Sequence, residues 1–177
     1  GQTLTLSSST VNNVLNIEGT LVVRGGTTVN GALSVLPEAL VEIRGDGNYS
    51  NAHLVVSQPW TNHGTLDLTS IVNAQEARLS GETLTNASDG TIRVQAGTGG
   101  GRVINTSVEN VGLLSLEAGI NPFTIRGSYT GAFTTSRIEF AASSLTQFGR
   151  ISAGGTVALA GLLRAKFDFP YVPNVGD

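Results

Sequence analysis

An internal period of about 24 residues constrains this chain more than any single motif in it. WTNHGTLDL (60–68), LTNASDGTIRV (84–94) and VENVGLLSL (108–116) align as an apolar residue, one position, Asn, a short turn, then alternating Leu, Ile or Val. Trp60, Leu84 and Val108 share one phase; Asn62, Asn86 and Asn110 share another. LPEALVEI (36–43) and NIEGTLVV (16–23) fit the same frame less fully. Each repeat is too small to bury its own apolar face, so repeats of this kind stack on their neighbours. Short alternating strands with Gly, Asn and Ser turns at this step match one winding of a β-solenoid with three strands per turn, stacked at about 4.8 Å. The 18-residue coil of hexapeptide left-handed helices, a step of about six residues per strand, does not match. The expectation is all-β: a right-handed parallel β-helix of about seven coils of roughly 24 residues, forming one domain over residues 1–177.

A second register runs beside the first. RLSG (78–81), RVIN (102–105), RGSY (126–129) and RISA (150–153) place Arg78, Arg102, Arg126 and Arg150 at equal steps. Neighbours on a strand point to opposite faces, so the arginines are expected outward and the residue after each inward. Four stacked guanidinium groups repel one another. Flanking glutamates such as Glu76 and Glu82 would offset this through exposed ion pairs. Alternatively, the column would donate forked hydrogen bonds to the hydroxyls or carboxylates of an extended ligand. The asparagine file reads as structural: stacked at turn corners, asparagines tolerate left-handed backbone angles and hydrogen-bond from coil to coil.

Composition narrows the function classes. The net charge is −3, and a single lysine, Lys166, leaves a phosphate backbone little to hold, which argues against nucleic acid. There is no cysteine, hence no disulfide framework and no thiolate metal site. No run reaches about 18 apolar residues, so no membrane-spanning helix is expected. GQTLTLSSS at the N-terminus lacks the charged and apolar regions of a signal peptide. The chain reads as a mature or excised module of a larger protein.

Catalytic signatures are weak. The acids from Glu18 to Asp177 show no central pair in the 24-residue phase, His53 and His63 lack metal-ligand spacing, and there is no GxSxG. RGDGNYSN (44–51) has a calcium-loop-like alternation of Asp46, Asn48 and Ser50, but lacks the glycine at position six and the closing glutamate. GTGGGR (97–102) is followed by a strand-like RVINTSV where a phosphate loop needs a helix. Turns between coils are the preferred reading of both. No catalytic residue, metal or cofactor is expected.

TNHGTLDL, LTNASDGTIRV, GTGGGRVINTSVENVGLLSL, GSYTGAF and ISAGGTVALAGLLRAKF resemble the β-strand-repeat regions of large secreted bacterial proteins, the adhesin-like and autotransporter-like solenoids. Similar right-handed β-helices occur as non-catalytic carbohydrate-binding modules and as pectin lyases and related enzymes. The resemblance implies a bacterial protein, extracellular or at the cell surface, joined to catalytic or repeat domains. The expected function is non-catalytic binding of an extended polysaccharide, of plant cell-wall type such as xylan or bearing uronic acids, on an arginine-lined sheet face. The alternative is a rigid stalk or adhesin segment; a lyase or hydrolase ranks third. The expected ligand-binding residues are Arg78, Arg102, Arg126 and Arg150, with Trp60, Tyr49, His53 and Tyr129 as aromatic and polar companions. Trp60 shares the phase of Leu84 and Val108, which also suits a core position. KFDFPYVPNVGD (166–177) would suit a terminal cover or the exit to a linker.

Overall fold

The computed structural model describes residues 1–177 other than 73, 98, 99, 120–122, 133, 169 and 175–177. Among the described residues there is no helix, and 22 strands, numbered in chain order, fall into three parallel sheets. Sheet A stacks β1 (Thr3–Ser7), β4 (Thr20–Arg24), β7 (Leu40–Gly45), β10 (Thr65–Ser70), β13 (Thr91–Val94), β16 (Leu113–Leu116), β19 (Arg137–Ala142) and β22 (Leu162–Phe167). Sheet B stacks β2 (Thr10–Val11), β5 (Gly26–Val29), β8 (Ala52–Val56), β11 (Ala77–Gly81), β14 (Arg102–Ile104), β17 (Phe123–Ile125) and β20 (Ile151–Ala153). Sheet C stacks β3 (Leu15–Ile17), β6 (Leu33–Val35), β9 (Trp60–Asn62), β12 (Leu84–Asn86), β15 (Val108–Asn110), β18 (Tyr129–Gly131) and β21 (Val157–Ala158). The chain therefore visits A, B and C in turn and returns one level higher, which is a parallel β-solenoid.

The windings are unequal. Down sheet A the aligned residues Thr3, Thr20, Leu40, Thr65, Thr91, Leu113, Arg137 and Leu162 stand 17, 20, 25, 26, 22, 24 and 25 positions apart. Five windings lie within two residues of the expected step and the first two are shorter. Against the expected seven or so coils of roughly 24 residues, about five keep that length.

Period-2 alternation sends one side of every strand inward. On sheet A, Leu21, Val41, Leu66, Ile92 and Leu114 form one buried column, and Val23, Ile43, Leu68, Val94 and Leu116 form a second. Burying each such side chain contributes roughly 1.5–3 kcal/mol, so the columns are the main source of stability.

On sheet C the asparagine file is a buried ladder. Asn62 Nδ2 donates to Asn86 Oδ1 at 2.8 Å, Asn86 Nδ2 to Asn110 Oδ1 at 2.7 Å, and Asn110 Nδ2 to the Tyr129 hydroxyl at 2.9 Å. Each amide nitrogen also faces a backbone carbonyl of its own turn, Gly64, Gly90 or Gly112, at 3.2–3.3 Å. The ladder thus satisfies corner carbonyls that the core would otherwise strand without water. None of the three asparagines is among the residues with positive φ, so hydrogen bonding and not backbone tolerance is their role. The ladder ends where Gly131 takes the column above Asn110 and Tyr129 reaches across to accept the last bond. Close approach fixes the corner glycines: a Cβ on Gly112 would lie 2.1 Å from the Ala87 carbonyl oxygen.

Among the described residues, the C-terminal segment leaves much of the last winding exposed. Leu162 and Leu163 are 57% and 63% exposed; Tyr171 folds back with its ring 5.9 Å from the Phe167 ring and its amide donating to the Asp168 carbonyl at 2.9 Å.

Candidate functional site: the charged outer face of sheet A

The arginine column expected on one wall is not formed. The winding from β11 to β14 pairs Arg78 with Val103 and Ala77 with Arg102, a step of 25 and not 24. A one-residue slip turns a side chain to the opposite face. Arg102 consequently points inward, 1% exposed, between Ala77 and Phe123, where its Nη1 donates to the Gly100 carbonyl at 2.8 Å. Burial pushes its guanidinium pKa down, and Glu117 opposes this. Arg126 is exposed just beyond β17, and Arg150 precedes β20 with its guanidinium 5.5 Å from the Phe148 ring centre. Residues 98 and 99 of GTGGGR lie outside the described residues.

Two of the aromatic residues are also corrected. Trp60 stacks in register with Leu84 and is 4% exposed, the core position that its phase allowed. Tyr129 continues the same column above Val108, is 3% exposed, and has its hydroxyl pKa raised by burial. Neither ring offers a face to a bound chain. Tyr49 is 43% exposed, with the Arg24 guanidinium 5.6 Å from its ring centre. His53 lies outward on β8 directly beneath Arg78; its Nε2 is 2.8 Å from Ser80 Oγ, and burial lowers its pKa. Arg78 pairs with Glu76, as the flanking-glutamate reading had it. Asp46 is buried by its own loop, accepting from the Asn48 and Tyr49 amides and pairing with Arg24.

An arginine-lined face nevertheless exists on a different wall. Arg24, Arg44, Arg93, Arg137 and Arg164, five of the nine arginines, all lie on strands of sheet A with their side chains outward. The central outer column reads Val22, Glu42, Asp67, Arg93, Ser115, Glu139, Arg164, one residue per winding. Glu42 and Asp67 are the central acid pair that a fixed period missed, because their winding has 25 residues and the next has 26.

Charges along this column are largely matched. Arg93 grips Asp67 with two nitrogens, Nε to Oδ1 at 2.6 Å and Nη2 to Oδ2, while Gln95 Nε2 donates to Oδ2 at 2.8 Å. Under this cover Asp67 is only 2% exposed although it points outward. Arg164 lies 3.4 Å from Glu139 and Arg44 lies 3.5 Å from Glu42. The Glu42 carboxyl is held above its ordinary pKa, by burial first and by Asp67 second, with Arg24 and Arg93 pulling the other way. A groove of about 480 Å³ lies beside the column, lined by Arg93, Ser115, Glu117, Glu139, Lys166 and Asp168 among others. Glu117 is fixed at its edge by the Ala96 amide at 2.9 Å. Such a groove presents the remaining guanidinium hydrogens of Arg93, the Lys166 ammonium and several carboxylate acceptors, on strands stacked at about 4.8 Å.

The raised Glu42 pKa gives a pH prediction. An acid whose folded pKa lies above its unfolded value binds its proton more tightly when folded. Its ionisation therefore costs stability above the folded pKa, and the cost vanishes below the unfolded value. Glu42→Gln is expected to raise the melting temperature at pH 7 and to give no gain near pH 4, near the ordinary glutamate range. Paired thermal melts at the two pH values check it, and an equal shift at both would remove the electrostatic explanation.

No family description, no curated protein and no solved structure matches this chain.

Proposed function

We propose that this chain is a non-catalytic carbohydrate-binding module of a secreted bacterial protein, holding an extended polysaccharide along the outer face of sheet A. The observation that carries the reading is the outward row of guanidinium and carboxylate groups, stepped once per winding and flanked by the groove at Arg93, Ser115, Glu139 and Lys166. A polymer of repeating sugars meets a surface of repeating polar groups, and uronic acid carboxylates match the exposed cations at its end. Arg137, Arg164 and Lys166 lie exposed at one end of the face and supply positive charge there. With Trp60 and Tyr129 inside, recognition rests on hydrogen bonds and charge more than on stacking against rings. Affinity is accordingly modest and weakens with salt.

Affinity electrophoresis through xylans, pectins, glucans and mannans tests this. One acidic polymer should retard the wild type. The double variant Arg93→Gln, Arg164→Gln should migrate freely, and Arg78→Ala on sheet B should be retarded like the wild type. Retardation lost with Arg78→Ala and kept in the double variant would move the site to sheet B.

The competing reading is a rigid stalk of a surface adhesin, favoured by the continuous buried asparagine ladder, which stiffens the windings whatever binds outside. Absence of retardation by every polymer would favour it. Release of unsaturated or reducing sugar from a retarding polymer would instead point to a lyase or hydrolase.

A further inference from the structure

Between β7 and β8 the chain spends six residues, 46–51, on the corner from sheet A to sheet B, where the winding below spends only Gly25 between β4 and β5. The added length is a loop held by its own groups. Asp46, 4% exposed, accepts from the Asn48 and Tyr49 amides, both at 3.0 Å, and its own amide donates to the Ser50 carbonyl at 3.2 Å. Ser50 closes the turn with φ at +62°, a left-handed angle that is uncommon outside glycine. Arg24, on the neighbouring strand β4, ties the loop down. Its Nε lies 3.4 Å from Asp46 Oδ2, and its guanidinium carbon lies 5.6 Å from the centre of the Tyr49 ring.

The Tyr49 ring is thus fixed in place yet 43% exposed. It is no part of the core, whose inward positions on the two flanking strands are filled by Ile43, Ala52 and Leu54. A ring set out in water on so constrained a backbone is a platform for a ligand with an apolar face. Among ligands rich in hydroxyls and carboxylates, sugars have one: the axial C–H groups of a pyranose lie flat on an aromatic ring while its hydroxyls turn to polar neighbours. The position also suits the groove. Arg24 lies on the outer face of sheet A, so the ring stands at the corner edge of that face. From β7, where the loop leaves, to β13, which carries Arg93, is two strand spacings, about 10 Å.

We propose that Tyr49 is the stacking subsite of the polysaccharide site, taking the apolar face of one pyranose unit while the polymer runs along the solenoid axis to the groove at Arg93 and Glu117. This rests on the polysaccharide reading, and it adds the direction of the bound chain and one contact that sets its specificity for sugar over other polyanions.

Affinity electrophoresis in polygalacturonate, glucuronoxylan, mixed-linkage β-glucan and mannan identifies the retarding polymer, and variants run in the same gels. Tyr49→Ala should weaken retardation about tenfold, matching roughly 50 Å² of apolar contact returned to water, while Tyr49→Phe, which keeps the ring, should stay within about twofold of wild type. Tyr49→Trp reads the contact directly. It adds an exposed indole to Trp60, which is buried, and the retarding polymer should shift the emission to the blue and shield it from acrylamide quenching. Three results would each overturn the stacking subsite and leave the sheet A reading standing: Tyr49→Ala retarded like the wild type, Tyr49→Phe weakened as much as Tyr49→Ala, or Tyr49→Trp emission unmoved by saturating polymer. A wild type that none of the polymers retards overturns both.

Discussion

Asn86→Asp is expected to destabilise the fold by about 3 kcal/mol or more at pH 7, lowering Tm by roughly 6–12 °C for a chain of this length. The side chain is fully buried and changes by a single atom, so packing is not the cause. Asn86 Nδ2 faces three oxygens: the Gly90 carbonyl at 3.2 Å, Asn110 Oδ1 at 2.7 Å and the Leu113 carbonyl at 3.2 Å. A carboxylate there has no hydrogen to offer any of them, and it loses its hydration. Protonation restores one donor, so the variant's deficit should shrink as pH falls toward 4; the folded pKa of the new acid lies above its unfolded value, and its cost is lost on acidification. Asn86→Leu, which is apolar and carries no charge, should cost less at pH 7 and show no such recovery. Circular dichroism melts of the two variants at both pH values distinguish the effects. A deficit of Asn86→Asp that is independent of pH would mean that the buried ladder is not what the carboxylate disrupts.

What was legible in the sequence follows from where the windings keep step. Trp60, Leu84 and Val108 stand 24 apart and pair directly, as do Asn62, Asn86 and Asn110. The middle of sheet C, β9, β12 and β15, could therefore be laid out from spacing, and with it the solenoid itself. Sheets A and B could not, because their corners add one or two residues or drop three: Ala77 to Arg102 is 25, Arg102 to Phe123 is 21, and Asp67 to Arg93 is 26. With a side-chain period of two, each odd error exchanges inside for outside. Four arginines in arithmetic step thus failed to make a column. The real column, Glu42, Asp67, Arg93, Ser115, Glu139 and Arg164, obeys no fixed step and was invisible. The usable signal was local instead: in TIRV, Ile92 and Val94 are inward, and that alone assigns Arg93 to the outer face.

Arg102→Ala separates these two ways of placing a side chain. If equal spacing governed, Arg102 would lie on the outer wall, and its truncation would weaken ligand binding while leaving stability within about 0.5 kcal/mol of wild type, as surface substitutions do. Strand pairing places it inside, in the column of Ala77 and Phe123, with its Nη1 held by the Gly100 carbonyl. Truncation there empties the volume of a large side chain that close-packed neighbours refill only in part, and it strands the Gly100 carbonyl. A loss of about 3 kcal/mol is expected, by comparison with large-to-small core substitutions. Below its melting range the variant should still be retarded by whichever polymer retards the wild type, since the outer face of sheet A is untouched. Arg78→Ala supplies the internal control: its side chain is 30% exposed and paired with Glu76, so its removal should cost well under half as much. A near-native melting temperature for Arg102→Ala would return that guanidinium to the surface, and with it the register of β14 on β11 would have to be redrawn.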